Sequence, residues 1–192
     1  ISGRIGNGLG DYMTTGDNFI PRLPIERDWE VPATLNDTWG FNKDDHNWKD
    51  PDELLRLLLK IVSRGGNYLL NIGPDKDGNV PKESIRILSE VGKYVRENEE
   101  AIFGTKCVGV YPYELQWAEL TGKDHKLYVH MLAPRMRIEL LGIANSVKGA
   151  YLVKDHTPLE VCARKVCEGD SIIEVELTEE LRKSRYYAVC IE

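Results

Sequence analysis

The sequence predicts an α/β fold class for its first half and an all-β class for its second, and three observations carry that prediction. A helix, a short strand, a loop and another helix succeed one another between Asp50 and Val95. Apolar residues of the helices recur at helical spacing, whereas those of 68–72 form a nearly unbroken run too short for a helix. Beyond Gly104-Thr105 that periodicity gives way to short β-rich runs separated by turn residues.

The first helix has readable ends. Asp50 can cap it, Pro51 suits the first helical position where no N–H is needed, and Glu53 can reach back as in a capping box. Leu54, Leu55, Leu58, Leu59, Ile61 and Val62 fill a broad apolar stripe, and Gly65 can take the left-handed conformation that closes a helix. Tyr68-Leu69-Leu70-Asn71-Ile72 then reads as a parallel strand buried on both faces. Gly73-Pro74 ends it, Asp77-Gly78 turns the chain, and Pro81 opens a second helix with the stripe Ile85, Leu88, Val91 and Val95. Asn71 and Gly73 thereby fall at the carboxyl end of a strand, where α/β folds place their chemistry. A closed α/β barrel takes about 250 residues, so this half is either a small α/β unit or the last portion of a barrel.

The second half offers runs at 108–111, 115–120, 126–132, 138–143, 150–153, 159–163, 172–177 and 186–191, which predict an antiparallel sandwich or barrel. Thr178-Glu179-Glu180-Leu181 predicts one helical turn.

Composition excludes several function classes. A net charge of −6 with no Lys/Arg cluster argues against nucleic acid as a partner. No apolar run approaches the roughly 18 residues of a membrane span, and no basic-then-apolar signal opens the chain. The chain starts at Ile1, which reads as a processed product or a piece of something longer. Cys107, Cys162, Cys167 and Cys190 match no zinc spacing and read as ordinary thiols ahead of a disulfide framework. Gly6-Asn7-Gly8-Leu9-Gly10 lacks the capped helix and the Lys-Ser/Thr of a phosphate loop, and Asp75-Lys76-Asp77-Gly78-Asn79 has its glycine in the wrong place for calcium. No metal ligand set or cofactor motif is read, and His46, His125, His130 and His156 are isolated and receive no catalytic role. Asn36-Asp37-Thr38 is a formal glycosylation sequon.

Residues 1–50 form a long, weakly periodic stretch rich in Gly, Pro, Asp and Trp, and such stretches are functional or disordered. Trp29, Trp39, Phe41 and Trp48 argue for function, because rings among carboxylates and amides suit a sugar cleft, although they would equally plug a barrel mouth. Glu30 follows Trp29, and a carboxyl desolvated by an indole can be raised into the general-acid range; the competing role is an ion pair with Arg22 or Arg27. Arg4 could clamp a ligand oxygen or serve a structural ion pair.

Gly10-Asp11-Tyr12, Trp29-Glu30, Thr38-Trp39-Gly40-Phe41, the run from Gly65 to Pro74, and Glu100-Ala101-Ile102-Phe103-Gly104, in that order and spacing, resemble the carboxyl-terminal portion of the family 29 α-L-fucosidases. The match is strongest over residues 1–105; the remainder resembles that family's C-terminal sandwich only in kind. The resemblance implies a fold in which residues 1–105 are the C-terminal part of a catalytic (β/α)8-type barrel and 106–192 an antiparallel β-sandwich. It implies an exo-acting enzyme that removes terminal α-L-fucose with retention from fucosylated oligosaccharides or glycoconjugates, needs no cofactor, and works in a periplasmic, secreted or lysosomal setting. The nucleophilic aspartate and the histidines that grip fucose would then come from earlier strands, so this chain alone would be inactive. For the acid/base the family offers two positions: the glutamate of the Trp-Glu block, here Glu30, and a glutamate shortly after Gly-Asp-Tyr, where this sequence has Thr14-Thr15-Gly16-Asp17. Glu30 is therefore the leading candidate and Asp17 the second. Arg4 matches an arginine that contacts fucose, Trp39 an aromatic along its methyl side, and Trp29 joins them as a pocket residue.

Two other functions stay open on sequence. One is a non-catalytic carbohydrate-binding sandwich displaying Tyr113, Trp117 and Tyr128; the other is a barrel glycosidase of different sugar specificity.

Overall fold

In the computed structural model, which describes residues 1–6, 8–23, 25–109, 115–167 and 170–192, the chain divides into two units, Ile1–Val95 and Arg96–Glu192. The first is built on a parallel sheet of β1 (Met13–Thr14), β2 (Trp29–Thr34) and β3 (Asn67–Asn71), in that order. Thr14 pairs with Glu30, and Glu30 to Thr34 pair with Asn67 to Asn71 in step. Ser2, just ahead of the short 3-10 turn Gly3–Ile5, bridges Tyr12 in the same parallel sense.

Helix α1 (Pro51–Ser63) begins where the sequence places it: Asp50 Oδ1 accepts from Asp52 N at 2.8 Å. It ends on Gly65 at φ 78°, with Gly65 N and Gly66 N donating to the carbonyls of Val62 and Ile61. The next glycine serves a different purpose, since a methyl group at Gly66 would lie 2.5 Å from the Trp29 ring. Helix α2 (Lys82–Glu97) buries Ser84, Ile87, Val91 and Tyr94, while Ile85 is exposed. Of the stripe read from sequence, Val91 is buried and Leu88 and Val95 pack against the same cluster, while Ile87 takes the place of Ile85 at the face's first turn.

Alternation along β2 and β3 sorts the sheet into two faces. Trp29 and Val31 pack with Ile61, Met13 and Tyr68, and Leu35, Leu54, Ile87 and Val91 gather Tyr68, Leu70 and Ile72. Both helices therefore cover one face. The other carries Thr14, Glu30, Asn67, Leu69 and Asn71 and meets no helix of this unit; on it Pro32 and Thr34 are buried, whereas Leu69 is 52% exposed. The expectation of a strand buried on both faces holds for one face only. With Leu69 bare on the edge strand β3, that face is only partly covered, whereas parallel sheets are ordinarily enclosed on both sides.

The second unit opens with the single turn α3 (Glu99–Ile102) and continues into strands β4 (Ala118–Lys123), β5 (Lys126–Met131), β6 (Arg137–Leu141), β7 (Ala150–Leu152), β8 (Pro158–Leu159), β9 (Val161–Cys167) and β10 (Asp170–Glu176), then α4 (Glu179–Lys183) and β11 (Tyr187–Ile191). Two antiparallel sheets form, β4-β5-β11-β7-β8 and β6-β10-β9. Leu120, Val129, Met131 and Val189 of the first share a core with Ile138, Leu140, Ile173 and Val175 of the second. The run 115–120 becomes a strand three residues later, the run 159–163 breaks into β8 and β9, and part of the run 108–111 lies outside the described residues. Thr178 caps α4 as its sequence predicts, Oγ1 accepting from Leu181 N at 3.3 Å. The four cysteines are free; Cys190 is buried, which pushes its thiol up to about 11.

α3 is tied to the sheet by polar contacts that its length could not replace. Asn98 Oδ1 accepts from Ala188 N at 3.0 Å, and Ala101 O accepts from Thr121 Oγ1 at 2.7 Å. Fully buried His130 places Nε2 3.0 Å from Thr121 Oγ1 and 3.1 Å from Ala101 O. Burial drives the imidazole pKa down from 6.5 to about 4. The folded unit thus holds His130 neutral while the unfolded chain protonates it near 6.5, so its contribution is complete above that pH and is lost as pH falls toward 4. Urea unfolding followed by circular dichroism is expected to show about 2 kcal/mol less stability at pH 5 than at pH 7 from this group. His130→Gln should flatten that dependence.

Candidate active site

The pleat of β2 separates two residues that are neighbours in sequence. Trp29 is fully buried on the helix-covered face, its ring against Gly66, and Glu30 points to the bare face. The indole is therefore on the opposite side of the strand from the carboxylate it precedes. Glu30 is half-buried, and its Oε1 accepts from Thr14 Oγ1 at 3.1 Å; Thr14 Oγ1 is in turn 2.8 Å from Ser2 Oγ. Its backbone carbonyl takes Thr15 N at 3.0 Å and Thr15 Oγ1 at 3.2 Å.

Asp17 occupies the loop that leaves β1. Asn18 N donates to Pro32 O at 2.8 Å, and Lys49 Nζ reaches both Asn18 Oδ1 (3.2 Å) and Thr34 O (2.6 Å). This loop therefore stands level with the carboxyl end of β2. Arg4, exposed after the Ser2 bridge, forms an ion pair with Asp17 through Nη2 and Oδ1. Glu30 lies four residues down the strand from Thr34, about 13 Å at strand rise. The structure brings Arg4 and Asp17 together and leaves Glu30 deeper on the bare face.

Trp39 and Phe41 rise on the loop that leaves β2, 43% and 51% exposed. That loop is braced internally. Thr38 Oγ1 donates to Asp45 Oδ2 at 2.9 Å, and Asn47 Nδ2 donates to both oxygens of Asp37 at 3.1 and 3.0 Å. Partial desolvation works against the Asp45 anion, yet the bonds from Thr38 and from backbone N–H groups hold its carboxyl below the ordinary range. At the end of β3, Asn71 Nδ2 donates to Trp39 O at 2.6 Å. Arg4, Asp17 and Trp39, on segments that follow strands, and Asn71, the last residue of β3, thus gather toward one end of the parallel sheet. The contacts made by Thr14, Lys49 and Asn71 escape a sequence reading, because each joins positions 15 to 32 residues apart with no spacing signal to announce it.

Elsewhere, Asp75 spends its carboxylate on the turn that contains it, Oδ1 accepting from Asp77 N at 2.9 Å and Asn79 N at 2.8 Å. No group of three or more His, Cys, Asp or Glu suited to a metal occurs among the described residues, and no helix among them is long and apolar enough to cross a membrane. Of the rings that a sugar-binding sandwich would display, Tyr128 is buried with its hydroxyl on Glu100, Trp117 packs on the core under the Arg135 guanidinium, and Tyr113 lies outside the described residues.

Comparison with known proteins gives the chain's family. Human tissue alpha-L-fucosidase is 37% identical over 116 residues, covering 58% of this chain and 24% of that protein. The crystal structure of alpha-L-fucosidase from Vibrio sp. strain EJY3 superposes with a TM-score of 0.80 at 29% identity, covering 95% of this chain and 32% of that one. Alpha-L-fucosidase isoenzyme 1 from Paenibacillus thiaminolyticus gives 0.73 at 29% identity, covering 88% and 46%. The chain spans about a quarter of the length of the curated relatives it matches. The alpha-L-fucosidase family model matches residues 1–100, the stretch that holds the parallel sheet and every candidate site residue, and the chain belongs to that family.

Proposed function

We propose that the complete protein is a retaining exo-α-L-fucosidase to which this chain contributes the C-terminal part of a catalytic (β/α)8-like barrel, residues 1–105, and a β-sandwich domain, residues 106–192. The single observation that carries the reading is the partly covered parallel sheet, whose helix-free face and strand-end loops hold Glu30, Asp17, Arg4 and Trp39. Strands contributed from outside these residues would enclose that face and bring the nucleophilic carboxylate, which retention requires about 5–5.5 Å from the acid/base.

The acid/base role falls to Asp17, with Glu30 as the alternative. Barrel enzymes work at the carboxyl end of their strands, and the loop of Asp17 is held level with that end through Asn18 and Lys49. Arg4 is positioned to bind a fucose oxygen and to trade its contact with Asp17 during turnover, and Trp39 offers a ring to the apolar side of the sugar. Trp29 supports this arrangement from behind the sheet. Catalysis then runs in two steps: Asp17 as acid protonates the leaving glycosidic oxygen while the nucleophile forms a fucosyl-enzyme ester, and Asp17 as base takes a proton from the water that cleaves the ester.

The test is hydrolysis of an aryl α-L-fucoside, beside aryl galactosides and xylosides, by the complete protein and by the 192-residue chain. Fucoside cleavage confined to the complete protein is the expected result. Cleavage of another glycoside in preference, or activity in the 192-residue chain, contradicts the reading.

A further inference from the structure

The run from Asn67 to Pro74 does more than form a strand. Asn71, its last β3 residue, donates from Nδ2 to the backbone carbonyl of Trp39 at 2.6 Å. Two residues on, Gly73 lies against the backbone of the same loop: a methyl group there would stand 2.7 Å from the Gly40 carbonyl carbon, 2.8 Å from Phe41 N and 3.0 Å from Gly40 O. No side chain fits that approach without displacing backbone. The loop is thus gripped at two successive peptides, by a donor to the carbonyl of residue 39 and by bare backbone against the peptide that joins residues 40 and 41. The two exposed rings flank that gripped point.

We infer that Asn71 and Gly73 are positioning residues that fix the Trp39-Gly40-Phe41 segment, and so set how tightly the enzyme holds its sugar through the Trp39 ring. This rests on the reading of Trp39 as a fucose contact. Neither residue touches the reacting atoms. Their effect appears where ring placement matters equally in the ground and transition states, which is a change in KM with kcat preserved. Preordering also spares the loop the cost of becoming ordered on binding.

The experiment uses the complete protein with Asn71→Asp, which keeps the side chain's shape but turns an oxygen toward the Trp39 carbonyl, and separately Gly73→Ala. An aryl α-L-fucoside reports kinetics, and amide hydrogen exchange over residues 36–48 reports the loop without any need for activity. The expected result is a KM raised about tenfold with kcat within about twofold, together with faster exchange over 36–48 and unchanged exchange in α1. Unchanged KM and unchanged loop exchange in folded variants overturn the inference. Faster loop exchange in a protein whose wild type cleaves no fucoside upholds the clamp and defeats the functional reading instead. Should Gly73→Ala not fold, Asn71→Asp decides alone.

Discussion

Asp17→Asn in the complete protein is expected to lower kcat on fucosides with poor leaving groups by about 10²–10⁴-fold, the usual worth of a positioned general acid. On an activated nitrophenyl fucoside, whose departure needs little protonation, the loss in the first step should be far smaller. The contrast with Glu30→Gln is the informative part. If Asp17 is the proton donor, Glu30→Gln changes turnover by less than about tenfold and shows no dependence on leaving group. The substitution is clean because Asp17 is 44% exposed and its known partner is exposed Arg4; such a surface pair contributes about 0–1 kcal/mol, so the fold survives its loss. A leaving-group-dependent collapse on Glu30→Gln instead would transfer the role to the strand.

Glu100→Ala is expected to produce a large loss of stability in the second unit. One carboxylate oxygen, Oε1, accepts from Tyr151 OH at 2.7 Å, Tyr128 OH at 2.8 Å and Lys126 Nζ at 3.1 Å, and Oε2 lies 3.7 Å from His156 Nε2. Partial burial works to raise its pKa, but the bonds from Tyr151, Tyr128 and Lys126 outweigh it and hold the carboxyl below its ordinary value. Truncation leaves the hydroxyl of buried Tyr128 without its acceptor and removes the side-chain contacts of α3 with Lys126 and Tyr128 of β5 and with Tyr151 of β7. Bonds to a charged group are worth about 1.5–3 kcal/mol each; allowing for the 28% exposure of the carboxylate and for water replacing part of the loss, about 3 kcal/mol is expected. Calorimetry should register this as a Tm lowered on the order of 10–20 °C for a unit of this size. Glu100→Gln, which keeps an acceptor, should recover a substantial part. The sign with pH follows from the lowered carboxyl: its contribution is present above the unfolded value and is lost as pH falls, in the same direction as that of His130.

How far the sequence could be read depended on whether a feature was local. The cap at Asp50, the closing glycine at Gly65, the turn at Asp75 and the Thr178 cap are decided within four residues, and each was legible. The stripe of α2 was legible at Leu88, Val91 and Val95 but not at its first turn, because Ile85 and Ile87 are equally apolar and only the sheet chooses between them. The two glycines at 65 and 66 read alike as a helix end, although Gly66 answers to a ring 37 residues earlier in the chain. At the site, residue types were legible and their grouping was not. Trp29 and Glu30 look like a unit until the pleat separates them, while Arg4 and Asp17, or Asn71 and Trp39, look unrelated until the strands align. The contribution of Glu100 was visible only as part of a sequence block, since its three donors arrive from strands 26 to 51 residues away.

In the proposed enzyme the carboxyl-terminal end of this parallel sheet carries the acid/base, on Asp17, opposite a nucleophile supplied from outside these residues. The most direct measurement is a crystal structure of the complete protein with a fucoside held in the pocket by an inactivating change at the nucleophile. The account predicts the Asp17 carboxyl within hydrogen-bond reach of the glycosidic oxygen and about 5–5.5 Å from the nucleophile position, with Arg4 on the sugar and the Trp39 ring along its apolar side. Glu30 at that oxygen with Asp17 turned away, or a fucoside bound in the second unit, would contradict it.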